Sequence, residues 1–388
     1  MFIKIIKSFK NLVLSLLEYI LLPILVIGCI LIRMKKNRID IGIGINPNIN
    51  HIRWANALKK FGYTVETFVL GKPFYITSNF DHIYKGAFNS SFPMFLFLKC
   101  AGKYRIQILR MNGGVLSKCN SAIKYLEPRL LKLAGVKTIA IPYGSDCRIL
   151  ERTPNKYYAY TILQDAPLRS NKVIIKKVDT WCRYADVVVG QMDHVDYLPF
   201  WNCMRQSLHA IDTNSIKPSY PRPDGSIRIV HIYNHPACKG SDAAFNAVAE
   251  LQKEGYEIEL IAKCGIPNDE VLEHISKADI VVDQLVIGWY ASFAVESMAH
   301  GKPTICYLRQ DLAELFEKAG NVEKNEVPVI SADVLTIKNV LRDLIERKEE
   351  LYDIGKKTRQ YCEKYHSLEA IGKWFDDIIR TKCIKSFK

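Results

Sequence analysis

The chain has 388 residues, 48% of them hydrophobic and 24% charged. That is a folded, globular composition long enough for about two domains, and it excludes disordered, collagenous and disulfide-scaffold chains. Lys and Arg number 54 against 40 Asp and Glu, and the resulting net charge of +14 asks for a polyanionic partner.

The distribution of charge selects that partner. Lys4, Lys7, Lys10, Arg33, Lys35, Lys36 and Arg38 bracket one apolar run, opposed only by Glu18, and Arg380, Lys382, Lys385 and Lys388 gather near the other end. Basic residues interleaved with apolar ones suit an anionic membrane surface better than a nucleic-acid groove, so no nucleic-acid partner is expected. The 11 cysteines are scattered singly without zinc spacing. They read as reduced, buried thiols, and no metal site is expected.

Residues 12–32 form the apolar run, long enough for a membrane helix. Pro23 in its middle can kink it into a shallow re-entrant element. A helix packed on the protein body is the rival. A cleaved signal fits poorly: Val26-Ile27-Gly28-Cys29 has the look of a lipoprotein site, but Ile30-Leu31-Ile32 continues the run. The basic excess after the run places the body in the cytoplasm, at the inner membrane.

From Ile39 onward apolar runs alternate with amphipathic stretches, the pattern of βα units and parallel sheets. Strands are expected at 39–45, 64–70, 137–142 and 185–190. A turn at 47–50 opens a helix over 51–62. FPMFLFLK (92–99) reads as a buried strand or a membrane-facing patch. Residues 213–226, rich in proline, read as a linker. Beyond it strands are expected at 227–232, 256–262, 279–285 and 303–308, with helices at 241–255, 268–278 and 292–301 between them, the first capped by Ser241. The division is therefore a membrane segment (1–37), a first domain (38–212), the linker, a second domain (227–360) and a C-terminal helix with a basic tail (361–388).

In open parallel sheets ligands sit at the carboxyl ends of strands, near helix N-termini. Three loops qualify. Asn234-His235 through Lys239-Gly240 follows a strand and precedes a helix, which suits a phosphate. Gly288-Trp289-Tyr290-Ala291-Ser292-Phe293 opens a helix, with Glu296 one turn in. Its amides can hold a diphosphate or sugar, Glu296 can accept from a ribose diol, and Trp289 with Tyr290 can stack on a sugar. Tyr143-Gly144-Ser145-Asp146 follows the 137–142 strand. There Asp146 can orient or deprotonate an acceptor hydroxyl, or simply cap the turn. His51, Gln191, Asp193 and His194 are further candidates at strand ends.

Glu296-Ser297-Met298-Ala299-His300-Gly301-Lys302-Pro303 resembles the E-A-M-A-x-G-x-P signature of nucleotide-sugar glycosyltransferases of the GT-B fold, family 4 in particular. Lys239-Gly240 is similar to the family's phosphate motif. His51-Ile52, Ala55, Leu58 and Gly62-Tyr63 resemble its first helix, Ala210-Ile211-Asp212 the element before the linker, and His366 to Ile371 with Trp374 the returning C-terminal helix. The resemblance implies two Rossmann-like, doubly wound domains facing a cleft. It implies a metal-independent, retaining hexosyltransferase without cofactor. The donor would be a nucleotide sugar and the acceptor lipid-linked or a polysaccharide, at the cytoplasmic membrane face.

Carried over residue by residue, Lys239 would neutralise the leaving diphosphate and Glu296 would bind the ribose. The amides of Tyr290 to Phe293 would face the phosphates. The segment Gly44, Asn46, Asn48 would lie by the reacting sugar, with Tyr143 and Asp146 on the acceptor side. Two positions depart from the family: Gly288 stands where its first Glu is expected, and Asn234 where its Arg is, with His235 beside it. A non-catalytic scaffold of a polysaccharide assembly complex and a sugar-nucleotide epimerase are the alternatives.

Overall fold

The computed structural model describes residues 2–71, 80–85, 93–165, 171–222 and 224–384; of residues 2–8 and 165 only the backbone is described. The basic side chains of Lys4, Lys7, Lys385 and Lys388 therefore lie outside the described residues.

Helix α1 (Phe2–Arg33) precedes a seven-stranded parallel sheet: β1 (Ile39–Ile45), β2 (Val65–Leu70), β3 (His82–Tyr84), β4 (Tyr104–Arg110), β5 (Lys137–Ile141), β6 (Val187–Gln191) and β7 (Cys203–Arg205). The spatial order is β3-β2-β1-β4-β5-β6-β7, doubly wound about the β1/β4 switch. Strands buried on both faces read as unbroken apolar runs, which is why Ile39–Ile45 and Val187–Gln191 stand out in the sequence. On one face lies α2 (Ile49–Lys60). Asn48 caps it through its side-chain oxygen, which accepts from Asn50 N at 2.8 Å. On the other face lie α3 (Pro93–Lys103) and α4 (Glu127–Leu133), and α1 packs outside these two. FPMFLFLK is therefore mostly helix rather than strand: Met94, Leu96 and Phe97 are buried, and Leu98 packs on Gly28 of α1.

The second sheet runs β11-β10-β8-β9, all parallel: β8 (Ile227–Tyr233), β9 (Ile258–Cys264), β10 (Ile280–Val282) and β11 (Thr304–Ile305). Helices α5 (Ser241–Lys253), α6 (Asn268–Lys277) and α7 (Ser292–Ala299) alternate with its strands. The cap of α5 is left-handed Gly240, not Ser241, whose hydroxyl is bonded to His231 Nε2 at 2.8 Å. Helix α8 (Leu351–His366) runs unbroken across residue 360, and Ser367 then caps α9 (Leu368–Ile378), its hydroxyl accepting from Ala370 N at 3.1 Å.

Helix α9 packs on α2 of the first domain. Phe375 lies edge-on to Trp54, and a Cβ on Gly372 would fall 2.7 Å from the Ala57 carbonyl, so only glycine permits that approach. The segment after Asp212 is tied down by buried Arg359, which donates to the carbonyls of Thr213 (2.7 Å) and Ile216 (3.0 Å). A third apolar core joins the domains: Met192, Val195 and Ile211 of the first meet Trp289, Val295 and Met298 of the second. The two sheets are held closed on one another.

Candidate active site

The carboxyl ends of β1, β4, β5 and β6 face those of β8 and β10. In the second domain the short turn after β8 brings Lys239 Nζ onto the Asp283 carboxylate just beyond β10. Asp283 is fully buried, and its other oxygen accepts from Ala291 N at 3.3 Å, next to the start of α7. One carboxylate therefore fixes both the lysine and the backbone preceding α7. Gly240 has φ +71°, and a Cβ there would come within 2.9 Å of Leu285, so the lysine turn is pressed against the β10 loop. Asn234 and His235 are exposed at the mouth of the turn.

Glu296, one turn into α7, is buried. Its Oε1 accepts from Arg53 Nη2 of α2 at 2.8 Å and from Asn268 Nδ2 at 3.3 Å. Arg53 also donates to the Ala210 carbonyl at 3.0 Å. The candidate ribose acceptor thus sits in an ion pair between the domains.

A second bridge centres on Asn50. Its amide nitrogen lies 2.9 Å from Tyr143 Oη, 3.2 Å from His209 Nδ1 and 3.5 Å from Ser292 Oγ, and its oxygen accepts from Ala210 N at 2.9 Å. Ser292 Oγ is 2.8 Å from His209 Nδ1. With Asn50 and Ser292 both donating, that nitrogen is the acceptor of a neutral imidazole. Burial drives His209 well below its ordinary range, which keeps it neutral.

On the first-domain side Tyr143 carries the Arg110 guanidinium over its ring at 4.5 Å and meets His209 edge-on. Arg148 and Asp193 form a buried pair at 3.0 and 3.1 Å. Burial pushes the Asp193 carboxyl up, but the Arg148 guanidinium outweighs it and holds the carboxyl below its usual range. Burial lowers His51 to about 3 and His194 to about 4, so both rings are neutral. Among the described residues, His51 Nδ1 and both nitrogens of His194 are buried without a hydrogen-bond partner, His194 Nε2 lying 3.8 Å from Asp193 Oδ1.

Several candidates are held by contacts within the protein. Gly44 is inside β1, where a Cβ would strike the Phe68 ring; its smallness serves strand packing, not a loop. Asn48 spends its side-chain oxygen on the α2 cap, while Asn46 reaches Asn112 at 3.0 Å. Asp146 accepts from Tyr143 N (3.0 Å) and Met111 N (3.2 Å) and lies 3.5 Å from Arg110, so it braces two loops in the manner of a turn cap. Trp289 is fully buried against Phe316, and no ring face is open to a sugar. Tyr290 is buried too, its hydroxyl at 2.9 Å from Tyr361 Oη and 3.1 Å from His366 Nε2. Ala291 and Ser292, at the α7 N-terminus, are only partly buried; Phe293 is buried beside Lys239. Gln191 ties strands together, donating to the Pro142 carbonyl and accepting from Leu208 N. Sequence reasoning missed Arg53, Asn50, His209 and Asp283. Asp283 fell inside the strand expected at 279–285; β10 ends at Val282 and leaves it at the strand's carboxyl end.

Two doubly wound domains closed on one cleft, with a C-terminal helix returning to the first, constitute the GT-B architecture. No family model matches the chain, and no curated protein matches it in sequence. Solved structures do match in fold. The chain is similar to the sucrose-phosphate synthase of Thermosynechococcus elongatus, at 13% identity and a TM-score of 0.60, over 90% of this chain and 100% of that one. It is similar to HepE of Anabaena in complex with UDP-glucose, at 10% identity and 0.56, over 89% and 100%. A Listeria monocytogenes protein described as a UDP-N-acetylglucosamine 2-epimerase gives 11% identity and 0.51, over 90% and 98%. Identities this low carry the fold, not the chemistry.

Proposed function

We propose that the protein is a glycosyltransferase that moves a sugar from a nucleoside-diphosphate donor to a lipid-linked or polysaccharide acceptor at the cytoplasmic membrane face, in the manner of retaining family 4 enzymes. One observation carries this: Lys239, the backbone opening α7 and Glu296 converge at the strand ends of the second sheet, facing the first domain. In the reaction the bond between the anomeric carbon and the diphosphate oxygen breaks, and its electron pair stays on the diphosphate. The cation of Lys239 and the positive end of α7 would stabilise that developing charge. Glu296, whose Oε1 is held by Arg53 and Asn268, would accept from the ribose hydroxyls through its other oxygen, and Tyr143 and Asn50 would line the acceptor side. HepE, of the same fold, is solved with UDP-glucose, which supports a nucleotide-sugar donor.

The test is binding and hydrolysis of a panel of UDP-, GDP-, ADP- and CMP-sugars by the full chain in detergent, beside Lys239→Ala and Glu296→Ala. Slow hydrolysis of one donor, lost in both variants, is expected. Tight binding without turnover, even with membrane lipid extract added, assigns a non-catalytic scaffold. Failure of every donor to bind overturns the site.

A further inference from the structure

We propose that α1 lies in the plane of one membrane leaflet, docked lengthwise on the first domain, and does not cross the bilayer. This rests on the membrane attachment proposed above and is independent of the donor chemistry.

The inner face of α1 is committed to protein. Leu25 and Cys29 are buried to 1% or less. The Glu18 carboxylate is buried and accepts from Asn120 N at 2.9 Å and Ser121 N at 2.7 Å. A carboxylate on two amides is held by charge-assisted bonds, so the lone acid of the apolar run serves as its anchor. Docking extends along the helix: Leu14, Leu17 and Leu21 share a crevice with Pro93 to Phe95, Gly28 lies under Leu98, and Gly135 abuts Arg33. Arg38 closes the far end on the Ala134 carbonyl at 3.2 Å. A helix crossing the bilayer over residues 12–32 would carry this wall with it, including exposed Lys99 and Lys118, into hydrocarbon. Unpaired charges and backbone groups there cost several kcal/mol each.

The outer face is uncovered and apolar. Phe9, Val13, Leu16, Ile20, Ile24 and Ile27 follow one another at spacings of three or four and are 40–69% exposed. Leu12, Tyr19 and Ile30 widen the stripe on one side. The exposed arc is broader than the narrow seam a single partner helix covers, and the one charged residue of α1 between Lys10 and Arg33 is the inward-facing Glu18. A second copy of this chain would therefore leave apolar surface in water, whereas a leaflet covers the whole arc. Lys10, Arg33, Lys35 and Lys36, all exposed, stand at the two ends of the stripe. That places them at the headgroup level of an anionic leaflet when the helix lies flat.

The test uses the full chain. Flotation with vesicles of phosphatidylcholine containing about 30% phosphatidylglycerol should recover it, and the exposed-face variant Ile20→Glu/Ile27→Glu should lose recovery while keeping its melting temperature. Lys35→Gln/Lys36→Gln should bind these vesicles about tenfold more weakly and neutral vesicles unchanged. Topology decides the geometry. In a Cys264→Ser background, Lys10→Cys and Met34→Cys should both react with a membrane-impermeant maleimide from the side that bears the body. Labelling of position 10 only from the opposite side overturns the in-plane geometry while leaving attachment intact. No flotation, together with a soluble dimer that Ile20→Glu/Ile27→Glu dissociates, overturns membrane attachment itself and assigns the stripe to a second copy.

Discussion

Arg53 and Glu296, which belong to different domains, form a buried 2.8 Å ion pair across the cleft, and the two partners are not equivalent. Arg53 keeps the Ala210 carbonyl if the glutamate is lost, and its side chain is 13% exposed against 5% for Glu296. Arg53→Ala, by contrast, leaves Glu296 buried with only Asn268 on the same oxygen. Arg53→Ala should therefore cost about 3 kcal/mol and Glu296→Gln only about 1 kcal/mol. Denaturant unfolding of the two variants checks this, and equal losses would show that the arginine is not what compensates the buried charge.

Lys239 and Asp283 pose the same question inside the second domain. Asp283 is fully buried, so Lys239→Ala strands a carboxylate and should destabilise by about 3 kcal/mol irrespective of any donor. Lys239→Met combined with Asp283→Asn removes both charges and leaves a side-chain oxygen for Ala291 N. That double variant should recover most of the lost stability while donor binding stays absent. A double variant that turns donor over at the parent rate would remove Lys239 from the proposed chemistry.

Strand runs such as 39–45 and 227–233 were legible because burial on both faces writes itself as an unbroken apolar stretch. The same rule misled at Pro93–Lys103. That helix is covered by the sheet on one side and by α1 on the other, so its sequence is apolar nearly all round and lacks helical spacing. Lys239 and Glu296 were legible from local spacing beside a helix start. Their partners were not. Arg53 meets Glu296 across 243 positions and Asn50 meets His209 across 159, and nothing in the neighbourhood of either residue records the encounter. Trp289 and Gly44 show the converse: residue types that suit a ligand site are also the types that fill a core or permit close strand packing.

Asp146 separates a brace from a base. Both its oxygens are spent on backbone amides, those of Tyr143 and Met111, with Arg110 beside them. Asp146→Asn keeps one acceptor and should cost about 1–2 kcal/mol of stability. Turnover should fall less than about tenfold, and the pH dependence of kcat/KM should stay where it is. A loss of about a thousandfold, with disappearance of the acidic limb of the profile, would instead make Asp146 the proton acceptor for the incoming hydroxyl.

Acid should unfold the protein well before its surface carboxylates titrate. Burial depresses His51 and His366 to about 3 and His194 and His231 to about 4, against about 6.5 in an unfolded chain. Between those values the unfolded state binds more protons, so this stabilisation is complete above about pH 6.5 and is lost as pH falls toward 4. Glu127 acts in the opposite sense. Burial raises it to about 7, so the folded state holds its proton first, and its contribution is lost as pH rises from about 4.5 to 7. His209, which burial also drives well below its ordinary range, acts in the same sense as the other histidines, so near pH 5 the unfolded state binds about four more protons than the folded one and stability falls steeply as pH drops. The urea midpoint should fall steeply from pH 7 to pH 5. His231→Gln, whose amide can still reach the Val282 carbonyl and Ser241, should flatten that slope by about a quarter. A midpoint unchanged across this interval would mean that these histidines are not buried as neutral rings.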